Sequence, residues 1–146
     1  EIDGLGYGWY ENGQKKEELT SKDGKPHGLW KEWYESGQKK SEETYKDGKE
    51  DGLVTRWYEN GQKKLEGTYK DGKLTRWYEN GQKKLEETYK DGEVDGLRTT
   101  WYENGKKRLE GTFKDGKKVN VIGRWNEDGS VREKPFKVEG YLQLLK

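Results

Sequence analysis

The chain has 146 residues, of which 40% are charged and 27% hydrophobic, with a formal net charge of +1. Leu, Ile, Val and Phe together number 22, too few for a thick globular core, yet seven Trp and ten Tyr exclude the aromatic-poor composition of a disordered chain. The absence of Cys rules out disulfides and thiolate metal sites, no apolar run reaches the roughly 18 residues of a membrane helix, and 21 Gly with no Ala or Met argue against long helices.

The chain begins at Glu1, inside a repeated pattern and without Met. That start reads as the product of an upstream removal, of an export signal, a lipoprotein leader or further repeats. The pattern itself opens with Trp9-Tyr10-Glu11-Asn12-Gly13 and returns at Trp57, Trp77 and Trp101, with variants at Trp33 and Trp125. A basic pair follows each of the first five: Lys15-Lys16, Lys39-Lys40, Lys63-Lys64, Lys83-Lys84 and Lys106-Lys107. Then come Glu, Thr and an aromatic residue, as in Glu66-Gly67-Thr68-Tyr69, and a second punctuation, Lys70-Asp71-Gly72.

Asn-Gly and Asp-Gly flanked by short runs of Trp, Tyr, Thr and Leu are hairpin signals. Two per unit predict about twelve short antiparallel strands, an all-β single stack of hairpins without substantial helix. At ~4.8 Å per strand step, such a stack would run on the order of 50–55 Å. Residues 1–129 read as six repeats, the first truncated and the third-to-fourth spacing shortened by four, and residues 130–146 as a divergent C-terminal cap.

Register is predicted on Leu53 to Tyr69. A three-residue loop, Glu59-Asn60-Gly61 with Gly61 left-handed, pairs Trp57 with Lys63 and Thr55 with Leu65. Leu53, Trp57, Leu65 and Tyr69 then share one face, while Arg56, Tyr58, Lys64, Glu66 and Thr68 share the other. Stacked, Trp9, Trp33, Trp57, Trp77, Trp101 and Trp125 would form a buried spine. The tyrosines after them would form a stripe on the opposite face.

The shortened run Lys73-Leu74-Thr75-Arg76 replaces Lys49 to Arg56, and reads as a deletion absorbed at a strand end. Beyond Phe113 the pattern decays, Pro135 appears, and the chain closes on Gly140-Tyr141-Leu142-Gln143-Leu144-Leu145. An atypical end unit of this kind covers the last strand's open edge in stacked repeats.

The unit Tyr-Glu-Asn-Gly-Gln-Lys-Lys, Glu-Gly-Thr-Tyr-Lys-Asp-Gly-Lys, Asp-Gly-Leu, Trp-Tyr resembles the bacterial variant of the MORN repeat, of the YwqK antitoxin type. The resemblance runs from Asp3 to about Gly129. It implies an elongated hairpin stack that binds a partner protein, with some members linked to membranes, and neutralisation of a toxin by direct binding.

No arrangement for catalysis assembles. His27, the only His, sits at a turn position where other units have Asp51 or Asp95, without a second ligand or a nucleophile. The carboxylates repeat in equivalent settings, whereas acid–base pairs need unlike ones. The Gly spacing follows the turns rather than a phosphate loop. Lys rows beside Tyr resemble a stacking platform for nucleic acid, but matching Glu rows and a net charge of +1 argue against that partner. The expectation is a non-enzymatic, cofactor-free protein-binding module. Tyr34, Tyr58, Tyr78 and Tyr102 would be the anchors, and Lys63, Lys64, Lys83 and Lys84 the charge complements. The alternative is an exported scaffold binding glycan or lipid. Its setting is the bacterial cytoplasm or an exported location, and its open strand edges leave end-to-end association available.

Overall fold

The structure, a computed structural model, describes residues 3–137. Among them every regular element is a β-strand and every recorded pairing is antiparallel. The chain divides into two compact units, 1–68 and 69–146, and the division falls at the shortened connection. The expected apolar tail from Gly140 to Leu145 lies outside the described residues.

Unit 1 holds β1 (Gly4–Trp9), β2 (Lys15–Lys22), β3 (Lys25–Pro26), β4 (Gly28–Trp33), β5 (Lys39–Lys46), β6 (Lys49–Trp57) and β7 (Lys63–Thr68). They pair in the order β1-β2-β4-β5-β6-β7, with the short β3 against β2. Unit 2 holds β8 (Gly72–Trp77), β9 (Lys83–Lys90), β10 (Glu93–Trp101), β11 (Lys107–Lys114), β12 (Lys117–Trp125), β13 (Val131–Glu133) and β14 (Phe136–Lys137). There the order is β8-β9-β10-β11-β12-β13, and β14 also pairs β12. Residues 131–137 thus line the outer edge of β12 on both sides of Pro135, through Trp125–Val131 and Val121–Phe136.

Two turn chemistries make the hairpins. At Asp23-Gly24, Asp47-Gly48, Asp91-Gly92 and Asp115-Gly116 both residues have positive φ, as at Asp47 (51°) and Gly48 (82°). That is the two-residue turn whose twist matches the flanking strands. At Asn60-Gly61 the loop has three residues, with Tyr58 N–H donating to Gln62 O at 2.8 Å and Gly61 N–H to Tyr58 O at 3.0 Å. Gly61 has φ of 85°, a conformation that Gly adopts without steric cost. The predicted loop and the Trp57–Lys63 pair both form.

One pair further the register departs from expectation. Arg56 pairs with Leu65, and Thr55 with Glu66 instead of Leu65. Lys64 is an extra residue in β7, a bulge that moves Leu65 to the other face. The same shift follows Trp9, Trp33, Trp77 and Trp101. Leu65 therefore lies with Val54, Arg56 and Gly67, while Glu66 and Thr68 lie with Leu53 and Trp57.

The core consequently sits on the face opposite the Trp row. Its buried apolar residues are Val54 and Leu65 in unit 1, and Leu74 and Val121 in unit 2. The Trp row is not a buried spine. Trp9, on β1 at the end of the strand order, is 60% exposed, and Trp33, Trp57, Trp77, Trp101 and Trp125 are half-buried.

Candidate binding surface

Each unit presents two unlike faces. The Trp face repeats four side chains, Trp, Lys, Glu and Thr, and departs from its pattern at Tyr7, Lys31 and Lys73, where other repeats have Thr or Leu. One basic residue per repeat, the first of each pair and Lys107 in the fifth, ion-pairs with a Glu three residues on, and at Lys15, Lys39, Lys83 and Lys107 it lies beside a Trp ring. Lys15 is 5.4 Å from the Trp33 ring centroid and 3.1 Å from Glu18, and Lys83 is 5.8 Å from the Trp101 ring and 2.7 Å from Glu86. Lys39 with Glu42, Lys63 with Glu66 and Lys107 with Glu110 repeat the pairing. These cations are neutralised where they stand. The hydrogen bond from Lys15 holds the Glu18 carboxyl below its ordinary range. Burial pushes Glu86 up, but Lys83 and Lys73 outweigh it and the group also ends below its ordinary value.

The Tyr face carries the basic residue next in sequence, which in the fifth repeat is Arg108 after Lys107. Lys16, Lys40, Lys64, Lys84 and Arg108 lie over Tyr10, Tyr34, Tyr58, Tyr78 and Tyr102 at 5.4–5.9 Å from the ring centroids, within cation–π range. Lys63 and Lys83 are thus on the opposite face from the tyrosines with which they were expected to act, because neighbouring residues of a strand point to opposite sides.

The tyrosines are half-buried, and the hydroxyls of Tyr10, Tyr34, Tyr78 and Tyr102 are engaged inside the stack. Tyr34 donates to the Trp57 carbonyl at 2.8 Å, Tyr78 to that of Trp101 at 2.8 Å and Tyr102 to that of Trp125 at 2.9 Å. The Asn of the turn does the same work two residues on. Asn80 Oδ1 accepts from Gln82 N–H at 2.9 Å, and its amide donates to the Glu103 carbonyl at 2.8 Å. Both side chains reach 23 residues ahead and tie one repeat to the next.

A hollow opens on the Tyr face of each unit. In unit 1 it has about 310 Å³ and is walled by Trp30, Tyr34, Tyr45, Glu43, Arg56 and Lys64, among others. Trp30 packs on Tyr45 with ring centroids 5.5 Å apart. Arg56 Nε donates to Glu43 at 2.7 Å, and the Tyr45 hydroxyl donates to the same carboxylate at 3.1 Å. Burial and the Glu43 charge push the Tyr45 phenol up to about 12. In unit 2 the hollow has about 350 Å³ and includes Arg76, Tyr78, Lys84, Glu87, Arg98 and Arg108. Glu87 is buried, accepts from Tyr89 at 3.0 Å and faces Arg98 at 3.3 Å. Of the predicted anchors, Tyr34 and Tyr78 line these hollows.

The family model described as the MORN repeat variant matches residues 2–23, 26–47, 50–71, 70–91 and 94–115. The chain belongs to that family. MORN repeats are non-catalytic modules that bind proteins or membranes, and this chain presents them as hairpins with one repetitive and one individual face. No curated protein matches the chain. Among the described residues no group of three or more His, Cys, Asp or Glu is placed to hold a metal ion, and no helix is long and apolar enough to cross a membrane.

Sequence reasoning missed Trp30, Glu43, Tyr45, Arg56, Glu87 and Arg98. Their signal was present: all but Tyr45, whose column keeps an aromatic residue in Tyr69, Tyr89 and Phe113, stand at positions where aligned repeats differ. Trp30, Val54, Leu74 and Arg98 share one column, and Leu19, Glu43, Gly67, Glu87 and Gly111 share another.

Proposed function

We propose that the chain is a protein-binding MORN module of the antitoxin or immunity type, and that its partner lies along the Tyr face. The observation that carries this reading is the distribution of differences between repeats. The Trp face repeats Trp, Lys, Glu and Thr almost without change, as in Thr20, Thr44, Thr68, Thr88 and Thr112. The Tyr face changes from unit to unit, and the hollows lie there. A surface that only holds the stack together can be identical in every repeat. A surface that selects one partner needs individual pockets and charges.

A photo-crosslinking residue in place of Ser41, on the Tyr face, is compared with one in place of Thr44, on the Trp face, in lysate of the source cells. One stoichiometric protein captured from position 41 and absent from position 44 is the expected result. Co-expression with that protein then tests whether the module relieves its toxicity. Capture from position 44, or from both equally, refutes the assignment.

A second reading has its own observation. Leu5, Tyr7, Trp9, Leu29 and Leu53 are exposed on the Trp face of unit 1, a surface suited to glycan or lipid on an exported scaffold. Binding of glycan arrays or vesicles that is lost in Leu29→Ser/Leu53→Ser would favour it.

A further inference from the structure

The two hollows differ in charge. In unit 1, Lys40, Arg56 and Lys64 face Glu32 and Glu43, and two of the three cations are paired: Arg56 with Glu43 at 2.7 Å and Lys40 with Glu32 at 3.9 Å. In unit 2, Arg76, Lys84, Arg98 and Arg108 face one carboxylate, Glu87. That carboxylate is only 5% exposed and already engaged by Arg98 and Tyr89. Among the described residues, Arg76, Lys84 and Arg108 have no carboxylate at ion-pairing distance. Lys84 and Arg108 are held over Tyr78 and Tyr102, so part of the entropy cost of fixing a cation for a ligand is met in advance.

Like charges are not gathered around a concave, partly apolar wall without raising its potential. Low-dielectric walls strengthen the field at such a site. Leu85, Tyr78 and Trp101 supply those walls. The rest of the Tyr face in unit 2 is not a charged track. Leu74 and Val121 are buried on it and Leu109 is half-buried. A continuous phosphate backbone calls for cations along its whole course. A cluster of cations set in an apolar face suits a protein segment with a few acidic side chains among apolar ones.

We propose that this hollow is an anion site that receives the carboxylates of an acidic segment of the partner protein. The proposal rests on the reading of the Tyr face given above and adds the chemistry of what is read. On the Trp face of unit 2, Lys73, Lys83 and Lys107 each lie within ion-pairing distance of a Glu, the first two sharing Glu86, and among the described residues that face offers no equivalent cluster of unpaired cations.

The test uses the full chain and a fluorescein-labelled hexaglutamate peptide, followed by fluorescence anisotropy in low and physiological salt. Saturable binding is expected. It should weaken about tenfold in Arg76→Gln/Lys84→Gln/Arg108→Gln, as the loss of three charge-assisted contacts implies. Lys73→Gln/Lys83→Gln/Lys107→Gln removes the same charge from the Trp face and should change affinity less than about twofold. Arg76→Gln alone, exposed and unpaired, guards against a folding defect in the triple variant and should cost roughly threefold. No saturable binding, or equal loss in the two triple variants, overturns the proposal. Tighter binding of a single-stranded oligonucleotide or of phosphatidylserine vesicles through the same three residues also overturns it, in favour of a polyanion. A partner captured from position 41 that still binds the Arg76, Lys84, Arg108 variant sinks this site and leaves the Tyr-face reading standing. Capture from position 44 instead sinks that reading.

Discussion

The two faces of this protein are made by the same strands and obey different rules. On the Trp face each of the first five repeats offers the same Trp, Lys, Glu and Thr, with the Lys and Glu paired. On the Tyr face a fixed Tyr and a fixed cation border positions that hold Trp30 in one repeat, Val54 in another and Arg98 in a third. The difference shows that stacking and recognition are divided between faces. The repeated residues carry the register and solubility, so the variable ones are free to shape hollows and to bury what core there is.

The comparison breaks most severely at the core. Leu74 has no exposed surface, and Leu97, on the Trp face, is 48% exposed. Leu74→Ala should cost about 2–5 kcal/mol in denaturant unfolding, because the cavity adds to the lost transfer energy. Leu97→Ala should cost less than about 1 kcal/mol, in proportion to the smaller area it buries. Similar losses at both positions would mean that the Trp face is also core.

Gly111 sharpens the point on the Tyr face. A methyl group there would sit 2.7 Å from the Asn120 carbonyl oxygen, backbone against backbone. Gly111→Ala should destabilise by about 1–3 kcal/mol through overpacking. Gly6, on the same face of β1, has only Leu19 near, at 3.9 Å. Gly6→Ala should be neutral or slightly stabilising, by up to ~1 kcal/mol, because it lowers the entropy of the unfolded chain. Thermal melts of the two variants decide it.

Much of this was legible in the sequence, and what was not has a physical cause. Asn60-Gly61 and Asp47-Gly48 specify their loops because only certain residues tolerate positive φ, so the all-β hairpins and the Trp57–Lys63 pair could be read directly. The bulge at Lys64 could not. It is decided by where two adjacent long cations find partners, Lys63 at Glu66 on the Trp side and Lys64 over Tyr58, and by the burial gained when Leu65 turns to the side of Val54. That single residue inverted the expected core. The tyrosine anchors were visible as a row, but their hydroxyl bonds to carbonyls 23 residues away follow from stacking, which a one-repeat register argument does not contain. The hollows lay in the positions where repeats disagree, and a search for the shared pattern passes over those.

Tyr78→Phe tests the division at intermediate size. It removes the bond to the Trp101 carbonyl and leaves the ring under Lys84. Stability should fall by about 0.5–1.5 kcal/mol, while partner affinity should change little. A large affinity loss with unchanged stability would return the hydroxyl to the role of a recognition group.

The smallest effect belongs to the Trp face and is read by pH. Glu86 is pulled below its ordinary value of 4.5 by Lys83 and Lys73, against the upward push of burial. A carboxyl depressed in the folded state binds its proton more weakly there than in the unfolded chain. Its contribution is therefore present above about pH 4.5 and fades as the pH falls through the folded-state value. Lys73→Gln/Lys83→Gln leaves burial unopposed, so the Glu86 carboxyl should move up, as followed by NMR titration of its side-chain carbon. The stability lost at neutral pH should be at most about 1 kcal/mol, since both ion pairs are largely exposed, and the variant should lose less than the parent on acidification. If the Glu86 titration stayed where it is in the parent, the lysines would be bystanders in the crystal-like order of the ladder, and the Trp row alone would have to explain why this face repeats so closely.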